Sequence, residues 1–311
     1  MQKKSIRIAA APYLVWMVAF IVVPMILIIG FAFTTTVKVD ADGNTLAEEE
    51  IAELEEEYAE ALQTDPDAEN PIYEKTVFSI ANLLTVSDYL PVLMRSIWLA
   101  LIATAICLIL GYPLAFIISR MHFLKQRTML MLIMIPMWMN FLLRTYAWMT
   151  LLERNGWINR FFGLFNIGPF DMINTQGAVV LGMVYNYLPF MILPLYSVMT
   201  KISDNTIHAA QDLGANSRKV FSKIVLPLSY PGITSGITMV FVPAVSTFII
   251  SRMLGGGTNM LIGDLIDLQF LGNAYNPNLG AAMSLVLMVV VLLCMSVTNQ
   301  LDNEDMEGVL M

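Results

Sequence analysis

Charge is the first thing this sequence is short of. Only 14% of its 311 residues are charged, against about a quarter in a soluble globular chain, and 57% are hydrophobic. A water-soluble domain with an ordinary charged surface is thereby excluded. Cysteine and histidine are scarce too, with two of each. Cys107 and Cys294 fall in apolar runs, where a thiol is a small packing residue, so neither a disulfide nor a metal site is expected. His122 and His208 lie far apart in sequence and add no metal ligand set. No G-x-x-x-x-G-K-[ST] loop is present to cradle nucleotide phosphates. Gly255, Gly256 and Gly257 are followed by no Lys-Ser or Lys-Thr and read as a flexible external loop. ATP and Mg are therefore not expected on this chain, nor is any nucleic acid.

What is present is a series of uncharged windows, at 8–37, 96–119, 128–143, 172–200, 224–251 and 268–301. A helix needs about 17 to 25 apolar residues to cross a bilayer, and all windows but the third suffice as they stand. The third is long enough only if Arg144 is included, in a span from Thr128 to Leu151. Backbone groups in lipid must be satisfied within each segment, and no barrel-like alternation occurs, so an all-α membrane protein of six helices is expected.

Lysine and arginine set the orientation. With the N-terminus inside, the inner side carries Lys3, Lys4, Arg7, Arg120, Lys125, Arg127, Lys201, Arg218, Lys219 and Lys223. The outer side carries Lys38, Lys75, Arg95, Arg144, Arg154, Arg160 and Arg252. The excess places both termini in the cytoplasm. The basic start of the first span looks like a signal peptide, but its apolar run is too long and no convincing cleavage site follows. It is expected to stay as an anchor.

Residues 1–311 thus read as a single transmembrane domain with two notable loops. The first, 38–89, is an acidic external insertion in which Thr45 and Glu48 can form a capping box. Ile51, Leu54, Tyr58 and Leu62 follow at helical spacing, and the helix is expected to end before Pro66. It is either a solvated insertion or a surface that attracts cations or a soluble partner. The second, 201–232, is cytoplasmic and reads as two helices. Ser203 or Asp204 caps the first, Gly214 ends it, and Asn216 or Ser217 caps another that stops before Pro227.

That second loop reads HAAQDLGANSRKVFSKIVLPLSYPGI. It resembles the EAA loop of ABC importer permeases, matching at Ala209, Ala210, Gly214, Ala215, Phe221, Ile224, Leu226, Pro227, Pro231 and Gly232. His208 stands where that family carries Glu. Small residues at 209 and 210 would let a partner backbone approach, and Gly214 permits a positive φ at the turn. GYPLAF at 111–116, LPFMILPLYS at 188–197, the RTYAW run from Arg144, and Ile262, Gly263, Gln269, Phe270 and Leu271 are similar to the spermidine/putrescine branch, subunit type B. The resemblance implies an inner-membrane subunit of an ATP-driven importer that is not itself an enzyme. It implies partners as well: two ATPase subunits, a second permease, an external binding protein and membrane lipid. Polyamine cargo follows from the branch, while sulfate, iron or thiamine importers share the loop. A self-sufficient secondary transporter is the rival of another class.

A polyamine path should combine carboxylates with aromatic faces. Trp138, Tyr185, Asn186 and Tyr187 are candidates within spans, while Trp148 and Tyr146 suit interface anchoring better. Asp264 and Asp267 would share a face if their segment is helical, and either guide cations inward or are solvated loop acids. Glu153 is a weaker candidate. Arg144 is expected to snorkel outward or to pair with an acid or carbonyl.

Overall fold

The computed structural model describes residues 12–40, 44–64, 70–272 and 275–310. Lys3, Lys4, Arg7 and Pro66 lie outside the described residues, as do the side chains of the acidic tail. Two compact units are formed, one by residues up to Tyr89 with Leu268–Val286, the other by Leu90–Asp267 with residues from Leu287 on.

In the first unit, helix α1 (Pro12–Ala32) is apolar all round and open along its length up to Ala32, which is buried. Its hydrogen-bond ladder widens at Val18–Val22, where the N–H of Val23 reaches the carbonyl of Val18. That wider turn comes just before Pro24, which has no N–H to give. Strands β1 (Thr34–Val39) and β2 (Tyr73–Phe78) then pair antiparallel, from Thr34 opposite Phe78 to Val39 opposite Tyr73. Between them runs the acidic helix α2 (Glu48–Thr64). Ile51, Leu54 and Tyr58 are its half-buried side, as the spacing predicts. Its start differs from expectation. Glu50 accepts from the N–H of Ala47 at 2.9 Å, while Thr45 is taken up in a bridge to Val39. Two short turns, Ala81–Thr85 and Val86–Tyr89, close this unit's N-terminal part. Asn82 ties them to the hairpin by donating to Thr34 O at 2.8 Å and Thr35 Oγ1 at 3.0 Å.

The second unit is built on three long helices, α3 (Leu90–Ser119), α7 (Gln176–Met199) and α9 (Ser217–Val245). α7 is the most enclosed, and supplies Met183, Met191, Ile192, Leu195 and Met199 to the core. Glycine decides how near its neighbours come. A Cβ on Gly232 of α9 would lie 3.1 Å from Pro194 O and 3.2 Å from Leu195 Cα, both backbone atoms of α7. Gly111 of α3 and Gly236 of α9 each leave room for Met191. Such close backbone approach is how helices associate without a hydrophobic drive between them. The buried hydroxyls find partners, Tyr112 OH and Ser229 Oγ lying 2.8 Å apart across α3 and α9.

The third window does not form one helix. α4 (Phe123–Trp138) and α5 (Phe141–Leu152) are separated by extended residues Met139 and Asn140, and the path bends by 90°. The first helix runs two residues past Pro136, whose carbonyl accepts from Met139 N, and the Asn140 side chain caps the second, accepting from Leu142 N at 2.8 Å. A short helix α6 (Trp157–Gly163) follows. Among the described residues five helices are long and apolar enough to cross a membrane, and counting the bent pair as one span brings the number to six. Counted so, the six expected spans are reached, but the helix expected over Thr128–Leu151 is broken at Met139–Asn140. The remaining elements are α8 (Asp204–Asp212), α10 (Ile249–Leu254), α11 (Ile262–Leu271) and α12 (Pro277–Leu310).

Candidate coupling loop and inner path

The loop between α7 and α9 is a helix, a sharp turn and a second helix. Ser203 caps α8, its side chain accepting from Asn205 N at 3.2 Å. Gly214 ends it at φ +85°. The N–H of Ala215 reaches Ala210 O at 3.0 Å and that of Gly214 reaches Gln211 O at 2.8 Å. That pair of bonds is the Schellman closure, which needs a left-handed residue where Gly214 stands. Asn216 then starts α9, accepting from Lys219 N at 2.9 Å.

α9 does not stop at Pro227 as the sequence led us to expect. Its ladder widens over Phe221–Val225 and the Leu226 N–H reaches back to Phe221 O. This is the device seen before Pro24, and it lets one helix run from the loop into the bilayer-length segment without a break.

Side-chain directions divide the matched residues into two groups. His208, Ala209 and Pro227 are exposed, as is Leu213 at 88%. Ala210 and Ala215 turn inward instead, onto a small core of Ile202, Val220 and Val225 that also takes in Phe116 of α3. Of the alanine pair expected to admit a partner, only Ala209 is open. Phe221 is half-exposed and meets Tyr112 edge-on at 5.7 Å. Leu226 is open, Ile224 and Pro231 are intermediate, and Gly232 is buried in the crossing of α9 with α7. Gly232 is thus a packing residue.

One residue at this end escaped the sequence reading. Arg120, just past α3, donates through Nη1 to Ile202 O at 3.0 Å and to Asp204 Oδ1 at 2.6 Å, with its guanidinium over the Phe116 ring. It ties the end of a core helix to the first turn of α8. Its charge is plain from the sequence and its partners are not, because Asp204 lies 84 residues away.

The inner-path candidates are not one cluster. Tyr185 and Trp148 meet edge to face with centroids 5.2 Å apart. Asn186 is buried and donates to Gly182 O at 2.8 Å, and the Tyr187 hydroxyl donates to Pro243 O at 3.3 Å. These last two point into helix packing. Trp138 is widely exposed at the end of α4. Arg144 is buried and donates to Pro136 O at 3.0 Å, closing the end of α4 with a carbonyl partner as expected.

Asp264 and Asp267 do share α11, but neither is an open acid. Asp264 is 3% exposed and accepts from Leu261 N at 2.8 Å, the reach-back half of a helix cap. Burial pushes its carboxyl up, while the Leu261 N–H and the nearby Arg252 act the other way. Asp267 is paired with Arg252. Gly255–Gly257 is an ordered turn, Gly256 packing on Asn174, whose carbonyl accepts from Asn259 Nδ2 at 2.9 Å.

No family model matches the chain. Individual proteins do. The spermidine/putrescine transport system permease protein PotB of Escherichia coli is 34% identical over 280 residues, covering 89% of this chain and 90% of that one. PotB of Haemophilus influenzae is 33% identical over 308 residues, 97% and 96% of the two chains. Among solved structures, a bacterial ABC transporter that imports the acidic polysaccharide alginate superposes with a TM-score of 0.68 at 14% identity, over 97% of this chain and 96% of that one. The MetNI methionine ABC transporter gives 0.52 at 16% identity, over 70% and 95%. Those two likenesses speak for the fold. Matched to PotB proteins at 33–34% identity along 89–97% of its length, this chain belongs to the PotB family of ABC transporter permeases.

Proposed function

We propose that this chain is the polyamine-conducting permease subunit of an ATP-driven importer in the cytoplasmic membrane, with both termini inside. It binds no nucleotide and catalyses nothing. Two partner ATPases carry ATP and Mg, a second permease completes the path, and an external binding protein delivers spermidine or putrescine. The observation that carries this reading is the open face of α8, with His208, Ala209 and Leu213, set beside a Schellman turn on a loop that packs onto the end of α3. The exposed side of α8 carries His208 and the small Ala209 among Asn205, Gln211 and Asp212, with Leu213 open just past its end, and such a mixed, closely approachable face suits a partner's groove. Closure of the ATPase pair would push α8, and the push would pass through Arg120 to α3 and through continuous α9 to the crossing with α7.

Polyamine passage is supported by the PotB relatives and by the Tyr185–Trp148 pair, whose ring faces attract ammonium groups. His208 replaces the acid usual at the start of such loops without disturbing the turn.

Cysteine crosslinking tests the docking face. With the ATPase co-expressed, Ala209→Cys and Leu213→Cys should form crosslinks to it, and Ala210→Cys should not, since that position faces Ile202 and Val220. Equal crosslinking at all three, or none at any, would remove α8 as the docking element.

Arg120→Gln tests the strut. Loss of a partly buried charge-assisted bond weakens loop docking by about 1 kcal/mol once the exposure of Asp204 is allowed for. Uptake should drop about fivefold with the amount of membrane protein unchanged, and Arg120→Lys should recover part of it. An Arg120→Gln variant that transports at the parental rate would show that the contact transmits nothing.

A further inference from the structure

The 90° bend after α4 has a consequence for the segment beyond it. The path from Phe141 to Gly163 runs at right angles to α4 and not along it. Perpendicular to a membrane-crossing α4, such a segment runs parallel to the membrane plane. Its side chains match that position. Trp157 is 73% and Leu164 80% exposed, and Phe161 and Phe165 are largely exposed too, with the phenylalanine rings 5.5 Å apart. Among these apolar groups stand two arginines. Arg154 and Arg160 line an open depression of about 400 Å³ together with Asn155 and Asn166. Arg160 lies over the Trp157 ring, and Arg154 is 3.9 Å from Asp171, an exposed pairing that water leaves weak. The floor is firm, because Asn159 donates to Glu153 O at 3.2 Å and Phe170 O at 2.9 Å and accepts from Phe170 N at 2.9 Å.

We infer that this face is a binding site for an anionic phospholipid of the leaflet at the C-terminal end of α4. The phosphate sits in the depression between Arg154 and Arg160, and the acyl chains run beside Trp157, Phe161 and Phe165. Cationic groups beside aromatic rings at the edge of the hydrocarbon are the complement of a lipid that is negative at its head and apolar below. The site holds the bent segment against the membrane surface and so fixes where the α4–α5 corner, with Arg144 and Trp148, stands. It depends on this chain alone, so its failure leaves the coupling role of α8 untouched.

The test is native mass spectrometry of the full chain released from detergent micelles doped with phosphatidylglycerol or phosphatidylcholine. Each arginine beside an anionic headgroup should strengthen attachment about fivefold, so phosphatidylglycerol should be retained about twentyfold better than phosphatidylcholine. Arg154→Gln with Arg160→Gln should abolish that preference, and the double lysine variant should keep most of it, showing that the fold survives. An unchanged preference in the double glutamine variant would overturn the assignment. So would its removal by millimolar inorganic phosphate, which would make this a site for a free anion. Capture of the external binding protein that needs both arginines, with no lipid preference, would give the face to that partner instead.

Discussion

Replacing Gly214 by valine should cut polyamine uptake at least tenfold while leaving the amount of chain in the membrane unchanged. At φ +85° the residue occupies the left-handed region, which costs an ordinary side chain roughly 1–2 kcal/mol and a β-branched one more. Nothing lies within 4 Å of the position its Cβ would take, so the cost is conformational and no neighbour is struck. The loop relieves it by abandoning the Schellman bonds from Ala215 to Ala210 and from Gly214 to Gln211. Opening those bonds turns α8 away from its setting on Ile202 and Val220. The membrane helices do not depend on that turn and should insert normally. Gly214→Asn, which tolerates positive φ, should retain most of the uptake. Uptake and immunoblot of washed membranes, measured together, decide it. A valine variant that is fully present and transports normally would show that the turn geometry carries no coupling.

Gly232→Val should fail differently, by loss of the protein itself. Here the obstacle is backbone, with Pro194 O and Leu195 Cα 3.1 and 3.2 Å from the added Cβ and Val198 Cβ also at 3.2 Å. Helices held that closely can accept a branched side chain only by moving apart, and overpacking of this kind costs about 1–3 kcal/mol or more. The crossing of α7 with α9 is the centre of the second unit, so the whole unit is affected. Gly30→Val is the matched control. It places the same residue in a membrane-length helix where nothing lies within 4 Å. Thermal aggregation of the detergent-solubilised chain should begin several degrees lower for Gly232→Val and stay unchanged for Gly30→Val. Equal behaviour of the two would mean that the crossing is looser than these distances.

Much of this was legible in the sequence because lipid imposes so strong a rule. Long uncharged windows located the spans, and the Ser203, Gly214 and Asn216 signals located the loop helices, since caps are short-range chemistry. What hid was set by contacts distant in sequence or by local exceptions to that rule. The break at Met139–Asn140 was concealed inside an apolar run, where hydropathy cannot distinguish a bent path from a straight one. Pro227 reads as a helix stop, yet a widened turn over Phe221–Val225 carries the helix past it. Strands β1 and β2 are short and separated by α2, so neither offered enough alternation to be seen. Asp264 and Asp267 looked like a pair of open acids, but the Leu261 N–H and Arg252 claim them. In the matched loop, residue identity could not tell the outward Ala209 from the inward Ala210.

On this reading, movement of polyamine through the chain is driven by ATPases acting on the 201–232 loop. It is tested most directly by the initial rate of spermidine uptake into proteoliposomes holding the chain with its second permease, ATPases and binding protein. Uptake should require hydrolysable ATP, persist when ion gradients are collapsed, and vanish when Gly214→Val replaces the parental chain. Spermidine uptake by the chain without any ATPase, driven by an imposed proton or sodium gradient, would contradict it.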